Sequence, residues 1–212
     1  MKNWIKFKRM IYYSFAPLIR VWTCYSWKWC FSKKPNIWLV VGAGCTSFKG
    51  WFCTDKSFLD ISNRRDFEKY FKKKNISKIL AEHVLEHLTD SDLKAMAKNF
   101  AEFSSDDINI RIAVPDGNHK NQNYIDAVKP GGLGSGADDH KHLFTHESLA
   151  KYFTDAGFIA TYLEYWDNNN YFITKYKKDE NGFIKRSLIN DSRNADGSPN
   201  YTSIIIDFKK RH

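Results

Sequence analysis

Five groups able to take a proton from a reacting atom stand just past apolar runs of this chain: His83, Asp116, His119, Asp139 and His140. Asp138-Asp139-His140-Lys141-His142 is the densest such cluster. An imidazole with a carboxylate partner makes a general base, and a base in position speeds proton removal from a hydroxyl by ~10²–10⁴-fold. A metal site is the other chemical reading of the cluster, and a solvated loop is the plain one. His83 and His87 are four apart and could share a helix face. Two-histidine metal motifs need a third ligand and usually the HExxH order, which is absent, so no metal ligand is assigned. His87 reads as a structural residue bonded to backbone. Asp116 either meets a substrate or caps the turn that follows it.

Such groups need a scaffold that gathers strand ends. Asn36 to Val41 is a short apolar run that breaks into Gly42-Ala43-Gly44, a strand followed by a turn where backbone passes close to another molecule. A second run, Gly50 to Asp55, ends in an acid. Strand, glycine turn, and a next strand closed by an acid is how a nucleotide-binding α/β sheet begins. The N–H groups of the turn face one end of the ligand, and Asp55 takes ribose hydroxyls.

Further along, Phe58 to Ile61 reads as a short strand or turn, Arg64 to Lys74 as a helix, and Ser77 to Glu82 as a strand. Thr89 or Asp90 caps a helix over 91–103. Ile108 to Val114 is a strand stopped by Pro115, and 116–144 is a long connection of the kind that is functional or disordered. Thr145 caps a helix over 146–156, and Gly157 ends it. Ile159 to Trp166 is a strand, Tyr171 to Phe183 a candidate hairpin, and Thr202 to Phe208 the final strand. The alternation predicts an α/β three-layer architecture with an antiparallel edge.

Residues 1–36 hold eight basic groups and no acid, so they carry nearly all of the formal net charge of +9. The body is close to neutral, and its sequence has no concentrated basic patch, which argues against nucleic acid as partner. Within this N-terminal arm, Trp4, Phe7, Ile11, Phe15, Leu18, Trp22, Tyr25 and Trp29 repeat at helical spacing. Pro17 should kink or split the helix. A basic helix rich in Trp and Tyr suits an anionic membrane surface, here through residues 1–31; packing on the body or on a second copy is the alternative. No apolar run reaches the ~18–20 residues that cross a bilayer, and no small-residue cleavage site follows the basic start. The four cysteines, Cys24, Cys30, Cys45 and Cys53, form neither a CxxC pair nor a zinc spacing. Free thiols in a reducing, cytoplasmic compartment are the expectation, peripheral at the inner face of the cell membrane if the arm binds lipid. The domain boundary falls at Pro35, with the arm at 1–35 and the α/β domain at 36–212. A homo-oligomer stays open.

With Ala81-Glu82-His83-Val84-Leu85-Glu86-His87-Leu88 closing a strand after the glycine turn and its acid, the chain resembles the class I S-adenosylmethionine-dependent methyltransferases. It is more closely similar to bacterial predicted methyltransferases, several of which lie among surface-polysaccharide genes. That likeness spans about 36–208 and is carried by Gly50 to Asp60, Ala81 to Leu88, Ile112 to Gly117, Gly136 to Lys141 and Asp191 to Asp207. It implies a Rossmann-like, mostly parallel seven-stranded sheet with an antiparallel last strand, and S-adenosylmethionine as cofactor. By position, Gly42, Ala43 and Gly44 would meet the amino-acid end of the cofactor, Asp55 its ribose, Asp60 or Ile61 its adenine, and Glu82 and His83 would lie near the methyl group. The implied reaction moves a methyl group to a hydroxyl or similar nucleophile of a small-molecule or glycan-linked acceptor. Two other readings stand beside it. A dinucleotide oxidoreductase is opposed by the missing third glycine. A degenerate methyltransferase fold serving as an assembly or membrane partner is favoured by Val41, where the family commonly has an acid.

Overall fold

Burial at adjacent positions marks the central strands. β1 (Ile37–Val41), β3 (Ile76–Glu82), β4 (Ser104–Pro115) and β7 (Ser203–Lys210) are each buried over runs of neighbouring residues, and so on both faces. The computed structural model describes residues 21–44, 46–71 and 75–211. With β2 (Phe52–Cys53), β5 (Phe158–Trp166) and β6 (Phe172–Thr174), the strands make one seven-stranded sheet in the order β2-β1-β3-β4-β7-β5-β6. β1 to β4 pair in parallel, and β7 runs antiparallel between β4 and β5. The expected α/β sheet with a reversed last strand is therefore present. A second reversed strand, β6, closes the edge by pairing with β5.

One face of the sheet carries the helices. Ile37, Leu39, Val41, Ile79, Ala81, Ile110, Ile112, Ile204 and Ile206 meet α2 (Arg64–Tyr70), α3 (Asp90–Phe103) and α5 (His146–Thr154) in one large core. Thr89 caps α3 in a reciprocal box with Asp92, and Thr145 caps α5 in another with Ser148. The opposite face holds the alternate residues Val40, Leu80, Ala113 and Ile205. Its cover is irregular chain, with Tyr176 and Ile184 as apolar contacts. Three charged residues of the sheet hold that cover. Arg111 binds Asp179 and the carbonyl of Gly182, Glu82 accepts the N–H groups of Lys185 and Arg186, and Glu164 accepts that of Leu188. Polar bonds thus fix this irregular cover to the sheet.

Of the two readings of Phe58 to Ile61, the turn is the one present: the N–H groups of Phe58 and Leu59 close on the carbonyl of Asp55. Other expectations need correction. The second strand shrinks to two residues. The segment 171–183 makes no hairpin of its own, since its first residues pair back onto β5. The connection 116–144 holds α4 (Gln122–Val128) and a 3₁₀ turn over Ala137–Asp139.

A helix runs through 21–33, here α1. Its inner side is set by Trp27 and Phe31, whose rings lie against Phe52, Phe58, Tyr70 and Phe71 at centroid distances of 4.6–6.3 Å. The face singled out by periodicity points the other way: Trp22, Tyr25 and Trp29 are 72%, 70% and 65% exposed. The earlier part of that stripe, Trp4 to Leu18 with Pro17, lies outside the described residues, as does Cys45. Among the described residues, no helix is long and apolar enough to cross a membrane.

Candidate functional site

The carboxyl ends of β1 and β3 lie side by side, and the turns leaving them build the site. After Val41 the chain turns at Gly42 (φ +61°) and Gly44 (φ +54°). These left-handed conformations explain the glycines. Ala43 donates its N–H to the carbonyl of Thr54 at 2.8 Å, which ties the turn to the chain leaving β2.

At the end of β3, His83 is itself left-handed (φ 54°), an uncommon state for a non-glycine residue and one that occurs preferentially at functional sites. Its N–H is held by the carbonyl of Ala113 at 2.8 Å. The reversal leads into the 3₁₀ turn Leu85–His87 and brings Glu86 back under the His83 ring. Nδ1 of His83 stands 3.2 Å from Oε1 of Glu86, and its Nε2 stands 3.1 Å from Oγ of Ser203 on β7. Glu86 is fully buried. Burial works to raise its carboxyl, but the neighbouring His83 outweighs it and the group lies below the ordinary range.

The loop 135–142 closes over this turn. Lys141 and His142 donate their N–H groups to the carbonyl of Glu86 at 2.7 and 3.2 Å. His140 donates Nδ1–H to the carbonyl of Val128 at 2.7 Å, so its Nε2 is free of a proton in the neutral ring. That nitrogen faces Oε1 of Glu86 at 4.0 Å, and the rings of His140 and His87 lie 4.7 Å apart.

Two cavities of ≈ 420 Å³ each flank this turn and share Gly42, His83 and His87 in their walls. One is lined further by Ala43, Glu82, Glu86, His140 and Arg186. The other is lined by Asp60, Ile61, Val84 and Asp139. Each is in the size range of small-molecule sites.

The predicted site residues divide accordingly. Gly42, Ala43, Glu82, His83 and His140 meet at the first cavity; Asp60, Ile61 and Asp139 lie at the second. Glu82 takes part as the anchor of Lys185 and Arg186, at 3.1 and 2.7 Å. Asp139 is a rim residue, with Oδ2 3.4 Å from Nδ1 of His87. Gly44 and Asp55 belong to neither wall. Asp55 is exposed, and its Oδ1 accepts the N–H of Ser57 at 2.8 Å.

Asp116 and His119 also stand apart from both cavities. Asp116 is fully buried, accepts the N–H groups of Trp166 and Asn118 at 2.7 and 2.9 Å, and is pushed up to about 6 by burial. His119 stacks on Tyr124 at 4.0 Å. Its Nε2–H is donated to the carbonyl of Pro199, Nδ1 accepts the N–H of Asn121, and burial lowers it to about 4. Both hold loops together at the end of β4. Glu86 and Arg186 are the site residues that sequence reasoning did not single out. The one signal for Glu86 is its position three residues after His83, one turn of chain.

No protein-family profile and no curated protein matches the chain. Among solved structures, it is similar to a SAM-dependent methyltransferase from Archaeoglobus fulgidus at 12% identity, covering 96% of this chain and 99% of that one, with a TM-score of 0.46. The plantazolicin methyltransferase BamL, in complex with a triazolic desmethylPZN analog and SAH, is similar at 15% identity over 92% of this chain and 84% of its own, with a TM-score of 0.47. LepI in complex with SAM is similar at 9% identity over 89% of this chain, with a TM-score of 0.46, and this chain spans about 40% of its length. Identities this low carry no information on substrate or activity, which have to be read from this chain's own residues.

Proposed function

We propose that the protein is an S-adenosylmethionine-dependent methyltransferase. The observation that carries this reading is the pair of cavities joined at Gly42 and His83 across the ends of β1 and β3. In this reading the cofactor spans the join, with its adenosine end toward Asp60 and Ile61 and its methyl group toward His83. Bound there, the cofactor would supply the methyl group to an acceptor oxygen, an O–C bond forming as the S–C bond breaks, with S-adenosylhomocysteine as the other product. His83 takes the hydroxyl proton at Nε2, and the Glu86 carboxylate, 3.2 Å from Nδ1, offsets the charge the ring gains. Positioning the two reactants can supply ~7–11 kcal/mol of the barrier reduction.

For the acceptor, we infer a hydroxyl-rich small molecule or surface-glycan precursor. The family resemblance of the sequence supports it, and so do the polar walls at Thr46, Ser135, Lys185 and Arg186. The outward ring face of α1 supports a second element of the proposal, attachment to the inner face of the cell membrane. Trp22, Tyr25 and Trp29 stand free of the body, and Nζ of Lys33 lies 4.1 Å over the ring of Trp29. Rings at headgroup depth with lysines on anionic lipid is the chemistry of an interfacial helix.

Two local observations favour the alternative of a non-catalytic partner protein. Asp55 uses one carboxylate oxygen on Ser57, and the N–H of Ala43 is taken by Thr54. Incubation of the purified protein with radiolabelled S-adenosylmethionine and extracts of surface-glycan precursors separates the readings. Label transfer that disappears in His83→Gln supports the enzyme. Cofactor binding absent at millimolar concentration leaves the partner reading.

A further inference from the structure

Glu86 presents an unusual combination. It is fully buried, and neither of its carboxylate oxygens completes a hydrogen bond among the described residues. Nδ1 of His83 comes to 3.2 Å of Oε1 without forming an aligned bond. Across from it, Nε2 of His140 is a bare acceptor, because Nδ1–H is committed to Val128. A lone pair and a carboxylate facing each other at 4.0 Å are both satisfied by a cation between them. Nδ1 of His87 is likewise buried without a hydrogen bond. One ligand atom each from Glu86, His87 and His140 lie within 4.8 Å of one another.

We propose that Glu86, His87 and His140 bind a divalent transition-metal ion of the zinc type. Two imidazoles and a carboxylate suit zinc, iron, cobalt or nickel better than magnesium or calcium. Ligand atoms around a tetrahedral zinc sit ~3.3 Å apart, given bonds of ~2.0–2.1 Å, so the trio must draw together by a side-chain adjustment on binding. The outer contacts that orient such ligands already exist. Val128 fixes the tautomer of His140, and His83 backs the carboxylate of Glu86. The two segments that supply the ligands are clamped by the bonds from Lys141 and His142 to the carbonyl of Glu86 and from Nζ of Lys141 to the carbonyl of His87. With three protein ligands, a coordination position stays open toward the cavity lined by Gly42, Glu82 and Arg186, where water or an acceptor oxygen can enter. Sequence spacing missed the site because its third ligand comes from a loop more than fifty residues away.

The test uses tag-free, full-length protein stripped with a chelator, titrated with Zn²⁺ by calorimetry and with Co²⁺ by visible absorption. We expect one equivalent of Zn²⁺. His140→Ala and Glu86→Gln should each weaken it by more than ~100-fold, the upper end for outer-shell changes, while His83→Gln weakens it by ~10–100-fold and His142→Ala leaves it unchanged. Co²⁺ should give intense ligand-field bands. Aqueous-type Co²⁺ absorption in the wild type overturns the proposal whether or not the variants fold. So does Zn²⁺ affinity in a folded His140→Ala variant equal to that of the wild type. Neither titration contains cofactor or acceptor, so its failure leaves the methyl-transfer reading standing.

Discussion

Gly42 and Val84 face each other across the ends of β1 and β3 with room for a hydrogen and none for a methyl. A Cβ on Gly42 would fall 2.4 Å from Cγ2 of Val84. The glycine turn and the His83 turn therefore define each other's position, and the two cavities meet where they touch. Gly42→Ala combines this clash with a left-handed backbone at φ +61°. Overpacking costs ~1–3 kcal/mol and the left-handed state ~1–2 kcal/mol. Gly197 is also left-handed (φ +81°) but has nothing within 4 Å. In denaturant titrations, Gly42→Ala should therefore destabilise the protein by clearly more than Gly197→Ala. Equal losses would mean that the contact with Val84 is not there.

Glu164 gives a pH dependence with a definite sign. It is fully buried, and burial raises its carboxyl from 4.5 to about 7, against the bonds from Leu188 and Thr174. It ionises less readily in the fold than in the unfolded chain. Its contribution is therefore complete below pH 4.5 and is lost as the pH rises through about 7. Asp116 acts with the same sign. His119, lowered to about 4, acts with the opposite sign, favouring the fold above its ordinary value and losing that as the pH falls. Glu164→Gln should remove a loss of about 3 kcal/mol at pH 8 and change little at pH 4.5. Melting curves across this range decide it. A variant less stable than wild type at pH 8 contradicts the assignment.

Arg111 is a buried cation on β4 with two carboxylate partners. It meets Asp207 at 2.7 and 2.8 Å and Asp179 at 2.7 and 3.0 Å. Removing one member of such a network leaves buried charge unpaired and costs ~3–5 kcal/mol. Arg111→Met should lose about that much in chemical denaturation, and adding Asp207→Leu should recover part of it. An additive double variant would rule out the coupling.

The arm makes a prediction with two separable halves. Changing Trp22, Tyr25 and Trp29 together to Ser should leave the melting temperature nearly unchanged and abolish sedimentation with anionic vesicles. Trp27→Ala should act the other way round. It packs on Phe31, Phe52, Phe58 and Tyr70, so stability falls, by no more than the ~3–5 kcal/mol of a fully buried Trp. Vesicle binding by the triple Ser variant equal to wild type would assign the outer face to something other than lipid.

What the sequence made legible depended on periodicity. β1 read as a strand from its short apolar run and β4 from the alternation of Ile108, Ile110 and Ile112, and the two Thr caps marked α3 and α5. The side of α1 that docks was not legible. Both faces carry aromatic rings, and the more regular stripe, Trp22, Tyr25 and Trp29, is the exposed one. The cover over 176–188 has no period at all, since Arg111, Glu82 and Glu164 hold it by polar bonds to scattered positions. Glu86 read as one residue of the Ala81 to Leu88 segment. Its place in the site depends on the left-handed backbone of His83, which residue type does not announce.

The most direct measurement is a calorimetric titration of folded, full-length protein with S-adenosylmethionine, run beside Gly42→Ala. The account predicts a single site in the wild type, competed by S-adenosylhomocysteine, and at least ~10-fold weaker binding in the variant, the effect of about 1.4 kcal/mol. No binding by the wild type up to millimolar cofactor, or equal binding by the two proteins, would contradict it.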